Sequence, residues 1–168
     1  MANTPATQYQ IPSEAILDVW NKQIYLGNQF ISGPDTFSLG DAAEHPLMLF
    51  VNPSTNTKAL FIFDMNLNAQ GTSDVVTFRV YKGATGASGG SPVTPSNLRF
   101  ASANTSIATV TSSPTATPTT LMQTIVIGFN AQSVVNPLFI VDPGQSIIIT
   151  GQAASTAVAI CQIIHYEL

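Results

Sequence analysis

Short runs of alternating apolar and polar residues dominate the chain after residue 30, and proline, glycine or asparagine ends each run. The run at residues 74–83 places Val76, Phe78 and Val80 on one face of an extended chain, which is the pattern of a strand with one buried face. Proline ends such a strand because it withholds a hydrogen-bond donor from the ladder. Strands are predicted at residues 47–51, 60–67, 74–83, 107–110, 121–129, 138–141, 146–150 and 156–166.

Two of these runs are close enough in sequence to form a hairpin. In the first run, one face of the extended chain carries Phe61, Phe63, Met65 and Leu67. Residues 70–73, Gln-Gly-Thr-Ser, supply a turn before the second run begins. The sequence therefore predicts that residues 60–67 and 74–83 pair with each other.

Eight or more short strands separated by turns are typical of an antiparallel β-sandwich or barrel. After residue 30 no window of ordinary helix length repeats its apolar residues with a helical period, which argues against a parallel α/β fold. Residues 83–106 are rich in glycine, serine, alanine and proline and carry almost no charge, so we expect a flexible exposed loop there. The chain is predicted to be all-β, with one sandwich domain at residues 31–168.

Residues 1–30 differ in pattern from the rest and are predicted to form an extended or partly helical N-terminal arm. Ser13 is a suitable N-cap for a short helix with an apolar face, and a bent strand is the alternative. An arm with this apolar content is expected to pack either on its own sandwich domain or on a neighbouring subunit. The arm residues expected to contact a partner are Ile11, Ile16, Trp20, Ile24 and Tyr25.

Charge is scarce along the whole chain. Only 8% of the 168 residues are charged, five Lys and Arg against nine Asp and Glu, while 45% are hydrophobic. The basic residues are scattered, so the sequence offers no basic patch for nucleic acid or for an anionic membrane surface. Apolar segments are too short for a membrane-spanning helix, and residues 1–10 lack the features of a secretory signal. Because few charges keep copies apart, association is expected.

Catalytic and metal-binding motifs are not apparent in the sequence, which predicts a non-enzymatic protein without cofactor or metal. His45 and His165 are the only histidines, and neither has the spacing typical of zinc ligands. The nine carboxylates are dispersed. A hydrolase would require one of these histidines to meet an acid and a hydroxyl in space. Cys161 lies in an apolar run, where a buried unreactive thiol is expected.

Three stretches resemble small virion proteins of tailed bacteriophages. In residues 49–62 a strand ends in Asn-Pro-Ser, and a short polar turn leads into an aromatic-rich strand. Residues 77–83 read Thr-Phe-Arg-Val-Tyr-Lys-Gly, and in residues 141–151 a Pro-Gly-Gln-Ser turn precedes an apolar strand. The resemblance covers residues 34–168 and implies a jelly-roll-like sandwich on the outside of a phage particle.

The function implied by this resemblance is that of a capsid decoration, or cement, protein. The chain would be made in the host cytoplasm and would bind the major capsid protein or other virion proteins on the outer surface of the virion. Each copy would bridge shell subunits through many modest contacts. A homo-oligomer is expected, with a trimer favoured. The alternative is a receptor- or glycan-binding module of a phage head or tail fibre that uses the loop at residues 83–106.

Overall fold

The computed structural model describes residues 22–71 and 75–168. In this part of the chain a short helical segment at residues 22–26 precedes twelve strands. The strands are β1 (Gln29–Leu39), β2 (His45–Val51), β3 (Leu60–Gly71), β4 (Val76–Ser88), β5 (Ser91–Val93), β6 (Ser96–Asn97), β7 (Thr109–Ser112), β8 (Thr115–Ile127), β9 (Ala131–Val135), β10 (Phe139–Val141), β11 (Ser146–Gln152) and β12 (Ala157–Glu167).

The strands form two antiparallel sheets. In sheet A the order is β10-β3-β12-β1-β6, and β9 pairs with β3 beside β10. In sheet B the order is β5-β7-β2-β11-β4-β8. The long strands pair in a nested series, since β1 pairs with β12, β2 with β11, β3 with β9 and β10, and β4 with β8. This pairing is that of a jelly roll, so the predicted antiparallel, jelly-roll-like sandwich is confirmed.

The hydrophobic core lies between the two sheets. From sheet B, Val76, Phe78 and Val80 point into it as their alternation predicts. From sheet A, Ile163 and Cys161 point into it from the central strand β12. Cys161 is completely buried, and burial raises the pKa of its thiol. Its predicted buried position is confirmed.

The predicted hairpin between residues 60–67 and 74–83 is wrong. β3 pairs with β12, β9 and β10 in sheet A, whereas β4 pairs with β11 and β8 in sheet B. The two strands therefore belong to different sheets, and side chains of both point into the core between the sheets. Alternation specifies which face of each strand is buried, but two strands of one sheet and two strands of opposite sheets satisfy that requirement equally well.

The predicted face of β3 is also partly wrong, because β3 contains a bulge. Asp64 pairs with Ile164 but Ile62 pairs with His165, so Phe63 is an extra residue in the ladder. The extra residue reverses the alternation, and Ile62 rather than Phe61 points into the core. Phe61 instead stacks on the Tyr166 ring, with 5.0 Å between ring centres.

A strand that the sequence pattern did not predict begins the sandwich. β1 starts at Gln29, so the predicted boundary between residues 30 and 31 falls inside this strand. The pair Gly33-Pro34 interrupts its pattern, and the ladder with β12 accommodates the pair as a bulge between Ser32 and Asp35.

The exposed loop predicted at residues 83–106 is mostly exposed, but the prediction is wrong in part, because strands extend as far as Asn97. β4 continues to Ser88, after which β5 pairs with β7 at the edge of sheet B and β6 pairs with β1 at the edge of sheet A. Near the start of β8, Pro118 lines one cavity together with Thr150 of β11. Ile148 of β11 is completely buried although it does not belong to the core between the sheets. We call residues 83–106 the insertion. Its β6 pairs with β1 and Leu98 N donates to Gln29 O, so the loop that follows β6 begins beside the start of β1.

Candidate interaction surface

The N-terminal segment at residues 22–28 is held on the sandwich by side-chain amides of the insertion. Its helical turn closes with a hydrogen bond from Gly27 N to Ile24 O at 3.0 Å. Asn97 Nδ2 donates to Gly27 O at 2.8 Å, and Asn104 Nδ2 donates to the same carbonyl at 3.1 Å. Carbonyls at the end of a helix lack partners within the helix, so these two amides stabilise the segment on its own domain.

Arg99 also holds the segment at residues 22–28, through its contacts with Tyr25. Its Nη1 donates to Tyr25 O at 2.5 Å, and its guanidinium carbon lies 5.2 Å from the centre of the Tyr25 ring, a cation–π distance. Arg99 N donates to Asn97 Oδ1 at 2.8 Å, and Ser102 N donates to Arg99 O at 2.9 Å. The turn that carries Arg99 is therefore held by hydrogen bonds on both sides, although it lies at the surface.

The structure describes two of the five arm residues predicted to contact a partner. Ile24 is half-buried, and Tyr25 is 73% exposed although its ring contacts Arg99. The end of the arm nearest to β1 therefore packs on its own domain, which is one of the two alternatives. Contact of the remaining arm with a neighbour stays a prediction, because three of the residues lie outside the described part of the chain: Ile11, Ile16 and Trp20.

Three exposed apolar residues are linked to Arg99, and we call them the arm-end patch: Tyr25, whose ring contacts Arg99, its neighbour in the chain Leu26, and Phe100, which follows Arg99. Leu26 is 45% exposed and Phe100 is completely exposed, at the tip of the turn closed by Ser102. Several exposed apolar side chains in one region of the surface are typical of an interaction site. The sequence carried a signal for Phe100, which is the one aromatic residue of the insertion at residues 83–106. It carried no signal for the contact between Arg99 and Tyr25.

Ser106, which precedes β7, forms a polar cluster with a histidine and a carboxylate of β12. His165 Nε2 lies 3.0 Å from Ser106 Oγ, and Ser106 Oγ donates to Glu167 Oε1 at 2.7 Å. Glu167 Oε1 also accepts a hydrogen bond from Ile107 N at 2.8 Å. A histidine, an acid and a hydroxyl, the three groups that a hydrolase would require, thus lie together at His165. The pattern of hydrogen bonds among them determines whether Ser106 could act as a nucleophile.

The hydrogen bonds of this cluster differ from those of a catalytic triad. In a triad the hydroxyl bonds to one histidine nitrogen and the acid to the other. Here Ser106 gives its single proton to Glu167, and the acid lies on the same side of the ring, 3.8 Å from His165 Nε2. Nδ1 of His165 has no hydrogen-bond partner among the described residues, and the ring packs against Phe30 and Phe50. The cluster therefore ties the loop to β12 and does not activate Ser106 as a nucleophile.

Acid is expected to destabilise the protein through this cluster. Burial lowers the pKa of His165, although Glu167 opposes the shift. An unfolded histidine titrates near pH 6.5, at about its ordinary pKa. Just below that pH the unfolded state binds more protons than the folded state, so the free energy of unfolding falls as the pH falls. Burial also opposes the ionisation of Glu167, but hydrogen bonds with His165, Ser106 and Ile107 outweigh it and lower the pKa of Glu167. A second loss follows below the ordinary pKa of a glutamate.

Urea unfolding at about pH 7.5 and about pH 5.5 measures the first loss. A His165→Gln variant should show a smaller difference between the two conditions, because glutamine does not titrate. The matched control is His45→Gln, since His45 is the only other histidine and its side chain is exposed. A wild-type protein that is equally stable at both pH values would contradict this prediction.

A second polar network, around Glu44, lies on the outer face of sheet B, and its hydrogen bonds are also made within the protein. Glu44 Oε2 accepts a hydrogen bond from Arg79 Nη1 at 2.9 Å. Glu44 Oε1 accepts from Tyr81 OH at 2.7 Å and from Thr150 Oγ1. Within residues 22–71 and 75–168 no three or more His, Cys, Asp or Glu side chains are grouped to hold a metal ion, and no helix is long and apolar enough to cross a bilayer.

The arm-end patch and the cluster at His165 are thus opposite in character. The patch presents apolar side chains to solvent on a fixed turn, whereas the cluster is enclosed and its polar groups mostly bind one another. No family model matches the chain, and no curated protein matches it.

Proposed function

We propose that the chain is a non-enzymatic structural protein that decorates the outer surface of a phage capsid and reinforces it. The observation that carries this proposal is the arm-end patch, in which a hydrogen-bonded turn holds Phe100 in solvent beside Tyr25 and Leu26. The patch lies on a jelly-roll sandwich, an architecture that viral capsid domains use. The resemblance of residues 34–168 to phage virion proteins supports the same role.

Attachment would depend on burial of apolar surface rather than on charge. Hydrogen bonds hold the turn at residues 97–104 before a partner arrives, so binding loses little conformational entropy there. Each apolar side chain that leaves water contributes about 25 cal/mol per Å². One patch of three side chains binds weakly, but several linked copies gain avidity. We therefore also propose a homo-oligomer, with a trimer favoured, that contacts the major capsid protein or other virion proteins.

A receptor- or glycan-binding module of a phage head or tail fibre is the second candidate. The exposed ring of Phe100 is suited to stack on a sugar ring. Close to the same loop, a polar cavity is lined by Lys58, Asn104, Thr105 and Glu167 among others. These side chains offer donors and acceptors to a ligand rich in hydroxyl groups.

Phe100→Ala is expected to weaken co-sedimentation of the protein with purified capsids about 30-fold, which corresponds to the loss of a hot-spot side chain worth about 2 kcal/mol. Folding should not change, because the Phe100 ring is completely exposed. The control is Val75→Ala, which shortens a half-exposed apolar side chain just before β4, outside the arm-end patch and outside β8, β9 and β10.

The binding target separates the two candidates. A wild-type chain that ignores capsids but binds host cells, and loses that binding on Phe100→Ala, would replace the first candidate with the second. If Phe100→Ala sediments with capsids as well as the wild type does, the arm-end patch is not the attachment surface.

A further inference from the structure

The two edges of the sandwich end differently. At one edge β5 and β7 extend sheet B, and β6 extends sheet A. At the opposite edge sheet B ends with β8, and sheet A ends with β9 and β10. Within the described residues no further strand pairs with these three, so their outer backbone groups are available to another chain. We call the surface formed by β8, β9 and β10 the open edge.

The strands of the open edge carry no charge. From Phe100 to Val141 the sequence contains no Asp, Glu, Lys, Arg or His, and this stretch includes all of β8, β9 and β10. Exposed edge strands usually carry charges, lysine above all, which prevent pairing with another chain. The exposed large side chains of these strands and of the connections between them are instead apolar: Leu121, Met122, Val126, Phe129, Val134, Leu138 and Ile140. An edge of this composition is expected to be covered in the assembled protein.

Leu138 projects from the open edge on a strained backbone. It lies between β9 and β10, and its φ of 48° is in the left-handed region, which leucine rarely adopts. Its side chain is 65% exposed, so burial within the chain does not compensate for the strain. Strained residues of this kind concentrate at functional sites. The effect here is to hold an aliphatic side chain out in solvent.

A recess lies beside this projection. It has a volume of about 400 Å³, and its lining includes Met122, Phe139 and Ile147. One cation and one anion, Lys82 and Asp142, also line it. The surface therefore presents an apolar projection and a recess of mixed apolar and polar lining that includes both signs of charge. In a closed ring of copies, the projection of one copy would meet the recess of the next, and opposite charges would meet as well.

We propose that the open edge is the surface through which copies of this chain associate. β8 has 13 residues, a length of about 43 Å, and two packed sheets lie about 10 Å apart. The backbone edge alone is thus roughly 430 Å², and the exposed apolar side chains of β8, β9 and β10 enlarge it toward the roughly 800 Å² per partner of a stable interface. The strands carry no like charges to repel an identical copy and no cluster of charge to attract a different, charged partner.

The solution mass of the full chain at tens of micromolar, measured by light scattering, tests this proposal. We expect a multiple of the 17.7 kDa chain mass. Leu138→Asp and Ile140→Asp should raise the dissociation constant at least 100-fold and give the monomer mass, because the interface would bury an unpaired carboxylate. The matched control is Leu26→Asp, which makes the same change at an exposed leucine near the opposite edge and should keep the wild-type mass.

A further variant separates association from folding. Leu138→Asn removes the apolar side chain but suits the left-handed backbone, so the monomer should fold at least as well and still lose association. A wild-type chain that has the monomer mass at this concentration would overturn the proposal, as would edge variants that keep the oligomer mass.

The proposal rests on the proposed function only in that it names the surface of the homo-oligomer. The mass measurement contains no capsid and is independent of the test on Phe100. A monomeric chain that binds capsids overturns the association surface alone, and an oligomer that ignores capsids overturns the capsid role alone.

Discussion

Replacing Asn52 with alanine is expected to lower the free energy of unfolding by about 3 kcal/mol. The Asn52 side chain is completely buried, and its Nδ2 donates to Lys58 O at 2.9 Å and to Val141 O at 2.8 Å. Its Oδ1 accepts a hydrogen bond from Asn56 Nδ2 at 2.7 Å. Alanine would leave these partners without their bonds to Asn52, and each buried polar group left unpaired costs about 1–3 kcal/mol.

The position of Asn52 in the fold makes the loss cooperative. Its backbone joins the turn after β10, since Asn52 N donates to Gln145 O at 3.0 Å and Gly144 N donates to Asn52 O at 2.8 Å. Asn56, which bonds to Asn52, also donates to Ile107 O at 3.1 Å. The Asn52 side chain connects the loop after β2 to the end of β10, and through Asn56 to the segment before β7, so its removal should loosen the end of the sandwich that carries the arm-end patch.

Urea unfolding followed by circular dichroism at neutral pH measures this change. Asn52→Asp should destabilise more than alanine does, because it places carboxylate oxygens against two carbonyl oxygens. The matched control is Asn136→Ala at an exposed position, which should change the free energy of unfolding by no more than about 0.5 kcal/mol. A loss below about 1 kcal/mol for Asn52→Ala would show that the network is not maintained in solution.

Gly33→Ala is expected to destabilise the protein by about 3 kcal/mol or more. Gly33 has a φ of +91°, and a Cβ atom there would lie 2.6 Å from Cys161 O and 3.2 Å from Asp35 N. Both atoms belong to backbone, and Cys161 lies in the central strand β12, so neither can move without disturbing a ladder. Alanine would therefore bring a steric clash in addition to the strain of a positive φ.

Gly86→Ala separates these two costs. Gly86 also has a positive φ, +64°, but a Cβ atom there would meet nothing within 4 Å. Its substitution should cost only the conformational strain, about 1–2 kcal/mol. Thermal or urea unfolding of both variants gives the comparison, and equal losses would show that the close approach at Gly33 is relieved by small backbone shifts.

The strands could be predicted to a large extent because their signals are local. The predicted strands at residues 146–150 and 156–166 correspond to β11 and β12 within two residues at each end. Proline, glycine and asparagine end strands by their own backbone preferences, whatever the rest of the chain does. The bulges at Phe63 and at Gly33-Pro34 were not visible in the same way, because a bulge depends on how the partner strand is aligned.

The candidate surfaces could be predicted only in part. Tyr25 was identified from the apolar content of the arm, and Phe100 stood out as the aromatic residue of its loop. The contacts around these residues could not be predicted, because they join distant parts of the chain, such as Arg99 with Tyr25 and Ser106 with His165. The open edge was also hidden, because the apolar residues of β8 to β10 have the same alternation as a buried strand.

Local patterns of side chains are enough to derive the all-β class, the approximate strands, the scarcity of charge and the apolar arm, since each depends on residues a few positions apart. The folded chain alone assigns β3 and β4 to different sheets, buries His165 beside Ser106 and leaves one edge of the sandwich open. These features arise from pairing between residues that are remote in sequence, such as Gln29 with Tyr166. Many alternative pairings would satisfy the same alternation, and only the joint packing of both sheets around one core selects among them.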